Sequence, residues 1–348
     1  MSGQQKNKLL QHYILLTFIL GFLSIGTQII LLRELLSVYY GNELVIGIIL
    51  TNWMLLTGTG AFLEKKADKI KSPHVFLLIF FIILSLLPAV LTFLAYSLRN
   101  ILFTYGTMIN LFQVFYSSFL LLLPFCLISG FVFIFLSHSI SMQKGKNQVS
   151  KTYAWESTGS VIGGVLFNLI LIWFLSTFES LLLLGGIGLI VSLYVAIKLH
   201  KKRLIVPISI VLIFFAGSHF FIDMDKLARK FLYKNQKIEY FRSTPYGNIT
   251  VTKTREQINF YENNLLVFST NQPIQTEEII HIPFSQVNDP EKVLLLSGGF
   301  TEANKELSKY NLEHIDYVEI NPWLIKAEHQ ILQEELPEKV TVINQDAR

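Results

Sequence analysis

A single cysteine, Cys126, is present among 348 residues. That excludes an intramolecular disulfide and a cysteine-based zinc site. Charge is scarce too. Asp, Glu, Lys and Arg make up 16% of the chain, against about a quarter in an ordinary soluble domain. The excess of positive charge is only +4, and the lysines cluster beside apolar runs. This pattern reads as membrane-topology signals and argues against a nucleic-acid partner. No cleavable leader is expected either. The first apolar run starts near His12, passes Leu32 and has no small-residue cleavage site, so it reads as a retained span.

What the sequence has in abundance is apolar side chain: 51% of residues, with a mean hydropathy of +0.47. Charge and apolar runs are unevenly placed, so two regions with different solvents are expected. A spanning helix needs about 20 mostly apolar residues. Candidates are Tyr13–Leu32, Leu44–Leu63, His74–Tyr96, Val114–Leu136, Tyr153–Leu175, Ser180–Ile197 and Leu204–Ile222, about seven in all. Ile101–Leu111 is apolar but short, which suits an interfacial or re-entrant piece. The expected fold is a multi-span α-helical membrane bundle, then a small antiparallel β unit, then an incomplete Rossmann-like α/β segment. In residue ranges this reads as a helical membrane domain over 1–222, a linker over 223–237, a small β-hairpin domain over 238–285 and a partial nucleoside-binding domain over 286–348.

The connecting segments alternate in charge. Lys65, Lys66, Lys69 and Lys71 follow the second span, Lys144, Lys146 and Lys151 precede the fifth, and Lys198, Lys201, Lys202 and Arg203 follow the sixth. The positive-inside rule puts these loops in the cytoplasm, together with the N-terminus and its Lys6 and Lys8. An inner-membrane protein is expected, with the lipid bilayer as its first partner. Seven crossings then leave the C-terminal third outside the cell. Arg33, Glu34, Glu43 and Glu156 lie near predicted span ends, where interfacial anchoring or helix pairing is the favoured reading over a substrate path. Gly159, Gly163 and Gly164 form a small-residue face suited to close helix packing.

After Phe221 the pattern changes. Ile238–Phe241, Gly247–Thr254, Gln257–Glu262 and Leu265–Phe268 read as strands, with Asn263-Asn264 as a tight hairpin turn. Val293–Leu296 reads as a short buried strand, followed by Ser297-Gly298-Gly299. A helix over Thr301–Tyr310, a strand over Ile315–Ile320, a helix over Trp323–Leu332 and a strand over Val340–Ile343 follow. Strand, glycine turn, helix and a strand with an acidic end open a nucleotide-binding sheet. Gly298 and Gly299 would let a ligand approach the backbone, and Glu319 stands at the spacing of a ribose-binding carboxylate. Read without the rest of the chain, the glycines could equally serve turn geometry alone.

The stretches Ser243–Ile249, Phe260–Ser269, Glu277–Pro283, Val293–Gly299, Tyr317–Asn321 and Asp346–Arg348, in this order, resemble the spermidine synthase family of aminopropyltransferases. Leu32–Leu36, Gly41–Glu43 and Tyr153–Glu156 with Gly159, Gly163 and Gly164 look like the multi-span region fused to such domains in bacterial proteins. The resemblance implies a fold like that of S-adenosylmethionine-dependent methyltransferases. It also implies that Gly298, Gly299 and Glu319 hold the nucleoside of decarboxylated S-adenosylmethionine, a substrate rather than a tightly bound cofactor. Asp346 would meet the adenine amino group, and no metal is needed.

The chain departs from the family where chemistry matters. The usual Gly-Gly-Gly-Asp-Gly-Gly loop is Ser297, Gly298, Gly299, Phe300, Thr301 and Glu302 here, so Phe300 replaces the Asp that faces the cationic arm. Asn271-Gln272 replace the usual Asp-Glu of a gate-like loop. The family's catalytic Asp falls beyond Arg348. No catalytic residue is therefore expected here, and the chain as it stands is expected to be inactive. The alternatives are a membrane protein with a nucleoside- or partner-binding soluble domain, or a transporter. Three parallel strands make an incomplete sheet, so a separately supplied C-terminal half or a homo-oligomer is an expected partner.

Overall fold

A computed structural model describes residues 3–64, 72–104, 107 and 109–347, with the side chains of 3–6 and 218–220 excepted. The basic cluster Lys65, Lys66, Lys69 and Lys71 lies outside the described residues, as do Arg348 and the Lys6 side chain. The chain divides into two compact units, residues 1–232 and 233–348.

The first unit is helical. Its long helices are α1 (Gly3–Tyr39), α2 (Glu43–Leu63), α3 (Pro73–Leu102), α4 (Leu111–Lys144), α5 (Val149–Phe174), α6 (Thr177–Lys198) and α7 (Lys202–Phe221). A short α8 (Met224–Lys230) follows. Six described helices, α1 to α6, are long and apolar enough to cross a bilayer. The seventh expected span, Leu204–Ile222, is helical over Lys202–Phe221, but residues 218–220 within it have no described side chains. Ile101 and Leu102 close α3 and Leu111 opens α4, while the described residues between them are not helical. Asn110 caps α4 by accepting from Gln113 N, so the helix restarts there.

α1 is the hub. It packs against α3, α4, α5 and α6, and 61% of its most apolar window is buried, against 22% for α5. Several helices approach to backbone contact through glycine. A Cβ at Gly159 of α5 would lie 1.9 Å from the Phe18 carbonyl oxygen of α1, and one at Gly21 would lie 2.0 Å from that of Glu156. Gly60 of α2 and Gly130 of α4 meet the Leu127 and Thr57 carbonyls in the same way. Gly164, expected to share the packing face, would meet only Ile25, at 3.8 Å. Inside α5 the turn widens to π-helix over Phe167–Leu171, where Asn168 donates to the Gly164 carbonyl.

The segment 223–237, expected to be a linker, is helical over Met224–Lys230, and its residues up to Leu232 belong to the helical unit. Its Arg229 is fully buried. The guanidinium donates to Asp225 Oδ1 at 3.0 Å, lies 3.6 Å from Glu34 Oε2 and donates to the Tyr96 hydroxyl at 3.1 Å. Thr177 and Tyr96 donate to the two Glu34 oxygens. Asp225 accepts from the Ser176 hydroxyl at 2.6 Å and from Phe178 N at the start of α6. Burial pushes the Asp225 carboxyl up, and the Arg229 charge opposes that shift. Glu34 is thus a helix-pairing group, whereas Glu43 is exposed in the first turn of α2.

The second unit opens with an antiparallel meander: β1 (Lys237–Thr244), β2 (Gly247–Thr254), β3 (Gln257–Glu262) and β4 (Leu265–Ser269). Asn263 and Asn264 take φ of +50° and +64° between β3 and β4, the left-handed conformation that this hairpin requires and Asn tolerates. Helix α9 (Pro273–Phe284) leads to β5 (Lys292–Leu296), α10 (Phe300–Leu307), β6 (His314–Val318), α11 (Pro322–Leu332) and β7 (Val340–Ile343). The parallel sheet has the order β5-β6-β7, with Val293 opposite Ile315 and Ile315 opposite Val340. The meander does not pair with β5.

One face of this sheet, with Val293, Leu295, Ile315, Tyr317 and Val342, packs on Ile280, Phe300 and Leu307. The other face is bare at β5: Leu294 and Leu296 are 62% and 54% exposed. Val293–Leu296 therefore alternates, instead of being buried throughout as its composition suggested. Burial on both faces needs a second layer, and no described element supplies one over these leucines. α11 turns Leu324 and Ala327 onto Ile249, Val251 and Phe260 of the meander, joining the two sheets into one unit.

Candidate functional site

β5 ends at Leu296, and the next three residues all have positive φ: Ser297 at +53°, Gly298 at +87° and Gly299 at +82°. Glycine adopts this region freely, whereas a serine pays about 1–2 kcal/mol for it. Ser297 is held there from two sides. Its amide donates to the Val318 carbonyl at 2.9 Å, and its hydroxyl donates to Glu319 Oε2 at 2.8 Å. Glu319 is 1% exposed and follows directly on β6. Its amide donates to the Ile343 carbonyl of β7, and its Oε1 accepts from Asn321 N at 2.9 Å. The glycine turn and Glu319 thus converge on one spot at the C-terminal edge of the sheet. Each carboxylate oxygen has a second lone pair, so a diol can still be accepted.

The two glycines do different things. A Cβ on Gly299 would meet the Phe268 ring at 2.3 Å, while one on Gly298 would meet nothing within 4 Å. Gly299 therefore lets β4 pack on the turn, and Gly298 leaves the backbone open to a ligand. Asp346 is exposed three residues beyond Ile343, which pairs with Val318. It shares the edge of the sheet with Glu319.

Sequence reasoning missed Glu328. This carboxylate is 2% exposed on α11 and accepts from Thr301 N at 2.5 Å and Phe300 N at 3.3 Å. It satisfies the first free amides of α10 and meets that helix's positive end. Burial pushes its carboxyl up, and these donors oppose the shift. The available signal was a Glu four residues after Leu324, on the apolar face of α11. Glu262, at the end of β3, was also missed. It accepts from the Asn321 side chain, and burial, then the charge on Glu319, pushes its carboxyl up. The Tyr317 hydroxyl is buried close to the Gly299 backbone without a hydrogen bond of normal geometry.

The positions where the family pattern is lost are occupied differently. Phe300 is 2% exposed, with its ring centre 5.5 Å from that of Tyr317, so it is a core residue. Glu302 pairs with Lys305 at 2.5 Å. Asn271 donates to the Glu256 carbonyl, and Gln272 immediately precedes α9. Among the described residues, no three His, Cys, Asp or Glu side chains are placed to hold a metal ion.

The spermine/spermidine synthase domain matches residues 272–347, which contain the glycine turn, Glu319 and Asp346. Through this segment the chain is similar to the spermine/spermidine synthase family. Its similarity to curated proteins runs further. Polyamine aminopropyltransferase 2 of Aquifex aeolicus is 28% identical over 187 residues, covering 52% of this chain and 37% of that protein. Polyamine aminopropyltransferase of Oceanobacillus iheyensis is 29% identical over 204 residues, covering 54% and 40%. That of Leptospira interrogans is 25% identical over 217 residues, covering 58% and 43%. These alignments are longer than the whole of 233–348, so they reach into the helical unit. The matched part amounts to less than half the length of each of these relatives.

Proposed function

We propose that this chain is a membrane-anchored, spermidine-synthase-like protein. Its C-terminal unit binds the nucleoside of an adenosyl-sulfonium compound such as decarboxylated S-adenosylmethionine. Its described residues do not themselves transfer the aminopropyl group. The observation that carries the binding reading is the hydrogen bond from Ser297 onto the buried Glu319. It fixes a carboxylate beside an open glycine backbone, as a ribose diol requires. Absence of transfer rests on the same edge of the sheet. An attacking amine must be neutral, which needs a nearby base, yet Phe300 is core, Glu302 is paired with Lys305, and Asn271 and Gln272 are neutral.

5′-Methylthioadenosine should bind the detergent-solubilised full chain in calorimetry. Glu319→Gln should weaken it by about 1–3 kcal/mol, the range for a lost charged hydrogen bond, or roughly 5–150-fold. An unchanged affinity would remove Glu319 from the site and the nucleoside reading with it.

The ends of α6 and α7 support a side of the membrane for the C-terminal unit. α7 starts a few residues after α6 and packs along it, and α8 follows within three residues of its end. Asp225 of α8 reaches Ser176 and Phe178, at the opposite end of α6 from Lys198. This supports α7 as a full return crossing, and with it seven crossings. The basic loops being cytoplasmic, the chain enters its C-terminal unit outside the cell. Alkaline phosphatase fused after Arg242 should be active. Active β-galactosidase at that junction, with inactive phosphatase, would reverse the assignment.

A further inference from the structure

Glu156 was expected near a span end, within reach of the headgroups. Its backbone instead lies against Gly21, in the middle of α1. Beside it is an open cavity of about 360 Å³ lined by α1, α2, α4 and α5. Trp53 and Ser129, near the midpoints of α2 and α4, face the same space. With the helices in a bilayer, the cavity is at mid-depth. Ser24, Gln28 and Tyr153 add polar groups, and among the described residues Glu156 is the one charged side chain on its wall.

A carboxylate at the bilayer centre costs about 2.5–3.5 kcal/mol on insertion scales, so such groups pair with one another or mark a ligand path. Glu34 illustrates the paired case, with Arg229 beside it. Glu156 is the contrasting case. The hydrogen bond at its carboxylate comes from Ser160, at 3.2 Å, and no Lys, Arg or His among the described residues forms an ion pair with it. The cavity offers one negative charge, hydroxyl and amide groups, and the aromatic rings of Trp53 and Tyr153. A cation over an aromatic face gains further when water is excluded. The volume lies within the range of small-molecule sites.

We propose that this cavity binds an organic ammonium group, with Glu156 as its counter-charge and Trp53 and Tyr153 flanking it. The inference rests on the bilayer placement given under Proposed function and not on the nucleoside site. A primary ammonium can come from a free alkyl diamine or from the ethanolamine headgroup of a lipid, and the test separates them. The full chain is placed in phosphatidylcholine nanodiscs and titrated with 1,4-diaminobutane. In parallel, protein from discs containing phosphatidylethanolamine is examined by native mass spectrometry for retained lipid. Saturable diamine binding that weakens at least tenfold in Glu156→Gln supports a free amine. Retained phosphatidylethanolamine that is lost in Glu156→Gln supports the headgroup. If E156Q misassembles, Ser24→Leu should give the same loss by filling the cavity. Neither ligand bound, or either bound equally by the variants, overturns the proposal. A chain that enters nanodiscs and yet binds no ammonium fails here alone, whereas one that stays soluble without lipid refutes the bilayer placement itself.

Discussion

Arg229→Ala is expected to destabilise the helical unit by about 3–5 kcal/mol, the usual penalty for removing one partner of a buried ion pair. The reason is what remains. Glu34 is fully buried and Asp225 nearly so, and Arg229 is the cation that bonds Asp225 and lies against Glu34. Two carboxylates would be left together in a poorly solvated place. Thr177, Tyr96 and Ser176 still donate to them, but neutral hydroxyls do not cancel charge. The measurement is a melting curve in mild detergent, followed by size-exclusion chromatography. Replacing the network as a whole, with Glu34→Leu, Asp225→Leu and Arg229→Met, should cost less than the single Arg229→Ala change. Well-packed apolar groups avoid the desolvation penalty that the ions carry. If Arg229→Ala melts with the wild type, the cluster contributes nothing and α8 is held by other contacts.

Gly159→Val is expected to separate α1 from α5. The added carbon would lie 1.9 Å from the Phe18 carbonyl, a backbone atom that cannot move away without shifting the helix. Inserting methylenes into tight packing costs about 1–3 kcal/mol where side chains can adjust, and more is expected where backbone must. Gly164→Val, five residues on in the same helix, is the matched control, because its Cβ would meet only Ile25 at 3.8 Å. Both changes alter apolarity and helix propensity alike, so the difference isolates the interhelical contact. A cysteine pair placed across α1 and α5 should crosslink in the wild type and in Gly164→Val, but poorly in Gly159→Val. Equal crosslinking and equal melting of the two variants would show that this face is not where the helices meet.

The elements that were legible in the sequence share a physical basis. Long apolar runs become helices because a helix satisfies its backbone polar groups within one segment. The meander was legible from its alternation and its Asn-Asn turn, whose positive φ is a property of Asn itself. The convergence of Ser297 and Glu319 was legible because a β-α-β unit fixes where its strand ends fall. Three features were not. The role of Asp223–Lys230 was hidden because its only strong signal, Arg229, gains meaning from Glu34 and Tyr96, more than a hundred residues away. Glu328 reads as an ordinary helix carboxylate until α10 is seen to start against it. Leu294 and Leu296 look buried because they are leucines, and only the sheet's two faces tell them apart.

The amino-acid sequence alone determined that the chain has two regions, that the first is made of apolar helices, and that the second carries a glycine turn with an acidic residue one strand later. These follow from local composition and spacing, which act over a few residues. Tertiary structure decided which polar groups are paired. It joined Glu34, Arg229 and Asp225 into one buried cluster and left Glu156 facing a cavity. Those outcomes depend on which helix faces meet. The glycines fix that by setting how closely two backbones approach, and the distance from Gly159 to Phe18 is a property of the packed pair rather than of either segment.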